Sequence, residues 1–116
     1  MGLTYIDANL KGPSSKSRRV RFLVDSGTAY CVLPPGAWRA LGLKPRRVET
    51  FNLADGTPVQ RKVSECLIRL GGREGHTPVI LGEPGDSALM GVITLEVLGL
   101  VLDPFRRKIL RMKHRL

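Results

Sequence analysis

The stretch "RFLVDSGTAYCVLP", residues 21–34, decides how the chain is read. Phe22, Leu23 and Val24 run straight into Asp25. Ser26, Gly27 and Thr28 follow, and the chain turns apolar again at Cys31, Val32 and Leu33. Aspartate is poor in strands and costly to bury without hydrogen-bond partners. A carboxylate at the end of an apolar strand therefore either opens an ordinary turn or is held at a site.

The surroundings of that stretch fix the class. The chain has 116 residues, which suits one domain, 1–116, with a real core and little room for a second. It is 42% apolar and only 5% aromatic, and 13 glycines and 8 prolines punctuate its length. That pattern favours many short strands joined by turns over a helical bundle. Residues 1–10 show no basic segment followed by a long apolar run, so no secretory signal is expected. The longest apolar stretch, 88–102, is too short to span a membrane and carries Glu96 in its middle, so no membrane partner is expected. Cys31 and Cys66 are isolated in apparent strands. They make neither a disulfide framework nor a metal cluster and read as buried thiols in a reducing cytoplasm. No metal and no cofactor is expected.

The net charge is +9. Much of it lies in Arg106, Arg107, Lys108, Arg111, Lys113 and Arg115, beside His114, and Arg46, Arg47, Arg61 and Lys62 add more. Solvated strand faces and a turn account for such charges. Nucleic acid is not favoured as a partner, because no aromatic residues interleave with the basic ones and no nucleic-acid motif is present.

Along the chain, residues 3–10 and 18–24 read as strands around a Gly12-Pro13 turn, and 30–33 as a short third strand. Pro34-Pro35 opens a short helix that stops at Gly42. Ala54-Asp55-Gly56-Thr57 separates two extended runs, 51–53 and 58–63, and Asp-Gly there is a strong hairpin signal. Residues 64–70 continue the outgoing arm, and 79–81 form another strand. Residues 94–98 read as a short helix with Thr94 as its N-cap and Gly99 past its end. A last hairpin joins 100–102 to 108–112. The expected fold is mostly β, closed or nearly closed, with one or two short helices. Trp38 reads as a packing anchor, and His76 and His114 as surface residues.

In that order the segments "FLVDSGTAYCVLP", "LGLKP", "LADGTPV" and "LMGVITLEVLGLVLDP" resemble the retropepsin-like aspartic proteases, in particular small bacterial single-domain members of that clan. The resemblance implies an acid-protease barrel. It implies that Asp25 is the catalytic carboxylate, that Ser26 bonds across to a partner loop, that Gly27 lets backbone approach substrate, and that Thr28 donates to the carboxylate. It makes Ala54, Asp55, Gly56 and Thr57 the tip of a substrate-covering flap, and Leu89, Met90 and Gly91 the second glycine loop. Ile80-Leu81-Gly82 is the lesser candidate for that loop, because a Glu-Pro-Gly-Asp turn and no helix follows it.

Peptide hydrolysis in this class uses two carboxylates that share one proton, since like charges about 3 Å apart cannot both ionise. This chain supplies one such loop. Asp55-Gly56-Thr57 lacks the intervening hydroxyl residue, and Asp86-Ser87-Ala88 lacks the glycine. The resemblance therefore implies a symmetric homodimer acting on a peptide or protein, with residues 3–10 and 108–116 as candidates for the inter-subunit sheet. Departures from the retroviral pattern stand at Thr28, where alanine is usual, and at Ala29-Tyr30, which replace an acidic residue; its arginine partner near the second glycine loop is absent as well. A non-catalytic peptide-binding or dimerisation module on the same fold is the alternative. The intact Asp-Ser-Gly-Thr loop favours the enzyme.

Overall fold

The computed structural model describes residues 3–113; His114 and the end of the basic tail lie outside the described residues. The elements run β1 (Tyr5–Lys11), β2 (Ser17–Val24), β3 (Cys31–Leu33), α1 (Pro35–Ala40), β4 (Arg47–Asn52), β5 (Pro58–Leu70), β6 (Arg73–Leu81), β7 (Leu89–Met90), α2 (Val92–Val97), β8 (Leu100–Asp103) and β9 (Lys108–Arg111). The fold is mostly β, as expected. Seven strands form one sheet in the order β1-β2-β7-β3-β6-β5-β4, and an added pairing of β1 with β5 closes six of them into a ring. β4 hangs outside that ring on β5 alone, and β8 and β9 make a separate hairpin.

Period-two burial builds the ring. In β2, Val20, Phe22 and Val24 point inward while Arg19 and Arg21 face solvent. Ala8 and Leu10 of β1, Cys66 and Ile68 of β5, and Val79 and Leu81 of β6 complete the same core. Phe22, Leu33, Leu41, Ile68 and Met90 are its largest sealed side chains. Each contributes about 1.5–3 kcal/mol of burial. α1 begins on Pro35 after an extended Pro34 and caps one end of the ring through Ala37 and Leu41. Trp38 is anchored there by its indole N–H, which donates to the Gly82 carbonyl at 2.9 Å.

Three elements depart from the sequence reading. β6 has nine residues rather than three, because Gly75 and Pro78 hide its strand character. Pro78 is tolerated since β6 gains its second neighbour, β3, only from Val79 onward. β4 begins at Arg47, four residues before the expected arm, and zips to β5 from Arg47↔Val63 to Asn52↔Pro58. α2 starts at Val92, and Thr94 is not its cap: Gly91 holds that position without any side-chain cap. The first amides of α2 are satisfied instead by another loop, Val92 N–H donating to the Thr28 carbonyl (2.9 Å) and Ile93 N–H to that of Ala29 (3.1 Å). Thr94 is thereby sealed inside, with its hydroxyl 2.7 Å from Thr77 Oγ1 and 2.9 Å from Cys31 Sγ.

Both cysteines are free and buried. Burial pushes the Cys66 thiol up to about 12 and raises that of Cys31 as well. An unfolded thiol ionises near 8.5. Above about pH 9 the unfolded chain therefore binds fewer protons than the folded one at Cys66, and stability falls as pH rises toward 12. This thiol alone should remove about 1.4 kcal/mol per pH unit in that window. Cys66→Ala is expected to be less stable than the parent at pH 7 and to lose stability less steeply between pH 9 and 11. Urea midpoints across that range measure both, and parallel curves would exclude the thiol as the cause.

Candidate active site

The turn that carries Asp25 is clamped from one side before its own bonds are counted. β2 ends at Val24, and β7 lies parallel beside it with Leu23↔Leu89 and Val24↔Met90 in register. Leu89 also pairs antiparallel with Val32 of β3. The two-residue strand is thus wedged between the arms that enter and leave the Asp25 turn. Asp25 N–H donates to the Met90 carbonyl at 3.1 Å, which fixes the residue at the last rung.

The turn then closes on its own carboxylate. Thr28 N–H donates to the Asp25 carbonyl (3.2 Å). Gly27 N–H donates to Asp25 Oδ1 and the Thr28 hydroxyl to Oδ2, both at 2.9 Å. Each oxygen receives one bond, so the carboxylate plane is held while its remaining lone pairs stay available. Asp25 is half-buried, and Ser26 and Gly27 are exposed at the tip. A turn residue and a held carboxylate are here the same object.

Gly91 is the reason the two loops can interlock. A Cβ there would stand 2.3 Å from the Ala29 carbonyl oxygen and 2.6 Å from Tyr30 C, both backbone atoms. Its φ of −87° suits any residue, so only close approach demands glycine. Leu89, Met90 and Gly91 therefore lie directly against the Asp25 turn, whereas Gly82 packs on Leu33 at the far end of β3.

A cavity of about 410 Å³ opens beside the turn. Gly27, Thr28 and Leu89 form its floor, Val32 and Ile80 one wall, and Phe51, Leu53 and Val59 of the β4–β5 hairpin the other. The hairpin tip behaves differently. Ala54, Asp55, Gly56 and Thr57 are all exposed and none lines the cavity. The tip is a tight turn, with Gly56 N–H donating to the Leu53 carbonyl at 2.8 Å and Gly56 at φ +87°. The Thr57 hydroxyl and amide hold the Asp55 carboxyl below its ordinary range.

Sequence reasoning missed the residues that join hairpin to turn. The Tyr30 ring meets Phe51 edge-on at 5.5 Å, and Arg47 donates to the Tyr30 hydroxyl (3.2 Å) while its Nε pairs with Glu49 (2.8 Å). Tyr30 lies 17 positions from Arg47 and further still from Phe51, and no local pattern signals either contact. Arg61 was also missed: counted with solvated charge, its side chain is only 27% exposed and lines the cavity. The alternation Val59-Arg61-Val63 was the available signal. Among the described residues no group of His, Cys, Asp and Glu side chains is arranged to hold a metal, and no helix is long and apolar enough to cross a membrane.

A family model described as aspartyl protease matches residues 6–97, from β1 through α2. No curated protein matches the chain. Among solved structures, EIAV protease complexed with the inhibitor HBY-793 is similar, with a TM-score of 0.66 and 17% sequence identity. The likeness covers 88% of this chain and 93% of that one, and it is a likeness of fold.

The interlock makes a sharp forecast. Gly91→Ala forces a methyl group into backbone, so it should lower the unfolding free energy by about 1–3 kcal/mol or more. Gly56→Ala meets nothing within 4 Å and should cost about 1 kcal/mol, the penalty of a positive φ alone. Urea titration of the two variants checks the order, and a Gly91→Ala protein as stable as Gly56→Ala would contradict the close packing.

Proposed function

Because the chain belongs to the aspartyl protease family and is an aspartic-type peptidase, we propose that it acts as an endopeptidase in a homodimer whose two Asp25 residues form one shared dyad. The observation that carries this reading is the held carboxylate: one Asp-Ser-Gly-Thr turn per chain, with each Asp25 oxygen braced by a single donor. A second carboxylate has to come from a second copy, and a two-fold contact supplies it.

The chemistry follows from that pairing. Two carboxyls within hydrogen-bond reach share one proton; the ionised one takes a proton from water as it attacks the peptide carbonyl, and the other gives its proton to the reacting amide. Gly27 N–H and Thr28 Oγ1 keep each carboxylate in the plane that leaves its free lone pairs toward partner and water. Ser26, exposed at the tip, is placed to bond the partner's loop. The peptide lies in the cavity beside Thr28 and Val32, and the hairpin with Ala54, Asp55, Gly56 and Thr57 at its tip folds over it as a flap.

The surface for the contact is narrower than the sequence alone suggests. β1 is already paired with β2 along its length and with β5 at Asn9–Lys11, so only its first residues are free for a partner. Leu3 and Tyr5 are exposed there. Val101 and Leu110 are register partners on one face of the β8–β9 hairpin, and both are exposed, as is Val97 of α2. We place the dimer contact on that hairpin and on residues 3–5.

Sedimentation at micromolar concentration should give a mass near twice 12.8 kDa. Removing residues 108–116 should weaken the pair and abolish cleavage together. Asp25→Asn keeps the shape of the site but cannot act as base. It should cut an unstructured protein at least 1,000-fold more slowly at pH 4–7, with a thermal melt equal to the parent's or slightly higher, since the axis no longer has to hold a charged, proton-sharing carboxyl pair. A variant that cuts at the parent's rate, or a strict monomer that cuts, overturns the shared dyad. A parent that pairs yet cuts nothing moves the binding-module reading ahead.

A further inference from the structure

Arg61 occupies a position where the alternation of β5 brings an apolar side chain inward. Val59 and Val63 share its face, the first half-buried and the second sealed, while Gln60 and Lys62 face outward and are exposed. The Arg61 side chain is 27% exposed and lines the cleft beside Val32, Val59 and Ile80. Among the described residues it is the single cation on that lining. A guanidinium carries five N–H donors. Here Nη1 donates to the Gln60 carbonyl at 3.0 Å. The nearest carboxylate, on Glu83, stands off at 3.9 Å and is itself 67% exposed. The cleft's other charged residue, Asp86, accepts the Glu83 N–H at 2.7 Å through Oδ2 and makes no ion pair with Arg61.

A mostly covered cation with most of its donors uncommitted, set among aliphatic walls, is matched by a carboxylate that enters the cleft. We propose that Arg61 is a specificity-determining residue that reads a Glu or Asp side chain of the bound peptide within a few residues of the scissile bond. The inference rests on the shared-dyad reading above. Arginine suits the task because its planar fork binds a carboxylate through two parallel hydrogen bonds. In a symmetric pair each half-cleft has its own Arg61, so acidic residues are favoured on either side of the bond that is cut. A neutral amide of the same shape fills the subsite but leaves the cation without a counter-charge.

The test uses the full-length protein. Cleavage sites are first mapped in an unstructured protein, and a peptide spanning one site is made with Glu or Gln at the enriched position. The parent should favour Glu over Gln by about 10- to 100-fold in kcat/KM, the span of a charge-assisted hydrogen bond. Arg61→Gln should bring the ratio near one, and Arg61→Glu should favour Lys at the same position. Lys62→Gln removes the same charge from the neighbouring outward position and should leave the preference intact. Equal cutting of both peptides by the parent, or a preference lost equally in Lys62→Gln, overturns the assignment and leaves the dyad standing. A parent that cuts no unstructured protein overturns both readings.

Discussion

The bond from Asp25 N–H to the Met90 carbonyl is the constraint on which the site depends. β7 is two residues long and has no stability of its own. It exists because β2 holds it on one side and β3 on the other. In return it fixes the end of β2 and brings Gly91 against Ala29. Two further bonds follow from that approach, from Val92 and Ile93 N–H to the carbonyls of Thr28 and Ala29. The start of α2 and the Asp25 turn therefore satisfy each other's backbone groups. Each bond is worth only about 1 kcal/mol net, but an orphaned buried group costs up to about 3 kcal/mol, so the set stands or falls together.

Beneath the turn, the same logic continues with side chains. Thr94 is fully buried in α2, and its hydroxyl meets Thr77 of β6 and Cys31 of β3. The Cys31 thiol also approaches Met90 Sδ at 3.5 Å. Three elements that flank the turn are thus joined by polar atoms in an otherwise aliphatic core. The arrangement is tolerable because it is complete: among the described residues no buried side-chain nitrogen or oxygen lacks a partner. A network of this kind specifies one packing of α2 against β3 and β6, which a uniform aliphatic contact does less well.

What could be read from sequence tracks how local each interaction is. The Asp25 turn was legible because the carboxylate and both of its donors fall within four consecutive residues. The hairpin tip was legible for the same reason, with Thr57 N–H donating to Asp55 Oδ1 and Gly56 N–H to the Leu53 carbonyl. Thr94 was misread because a hydroxyl at a helix start is normally a cap, and nothing within a few residues shows that carbonyls more than 60 positions earlier already serve the first amides. The length of β6 was hidden by Pro78, whose tolerance depends on where β3 begins to pair. Arg61 is the instructive middle case. Its alternation with Val59 and Val63 was visible, but a basic residue beside Lys62 is read as solvated until the sheet's curvature is known.

Arg61 also separates two roles of charge in a chain of net charge +9. Most ion pairs among the described residues lie at the surface, as Arg19–Asp7 and Arg46–Glu65 do, and such pairs contribute about 0–1 kcal/mol each. They do not hold the ring together. The chain's net positive charge, by contrast, sets a field around the molecule that favours encounter with acidic chains and that ordinary salt screens within about 10 Å. Arg61 acts at a different range. Its guanidinium is largely withdrawn from water and, on the specificity proposed above, meets the substrate carboxylate directly, so screening by mobile ions reaches it less. A uniform field raises the chance of encounter for any acidic chain and cannot choose which bond of that chain lies over Asp25. A single covered cation at a fixed place in the cleft can, because it acts only on the residue that reaches it.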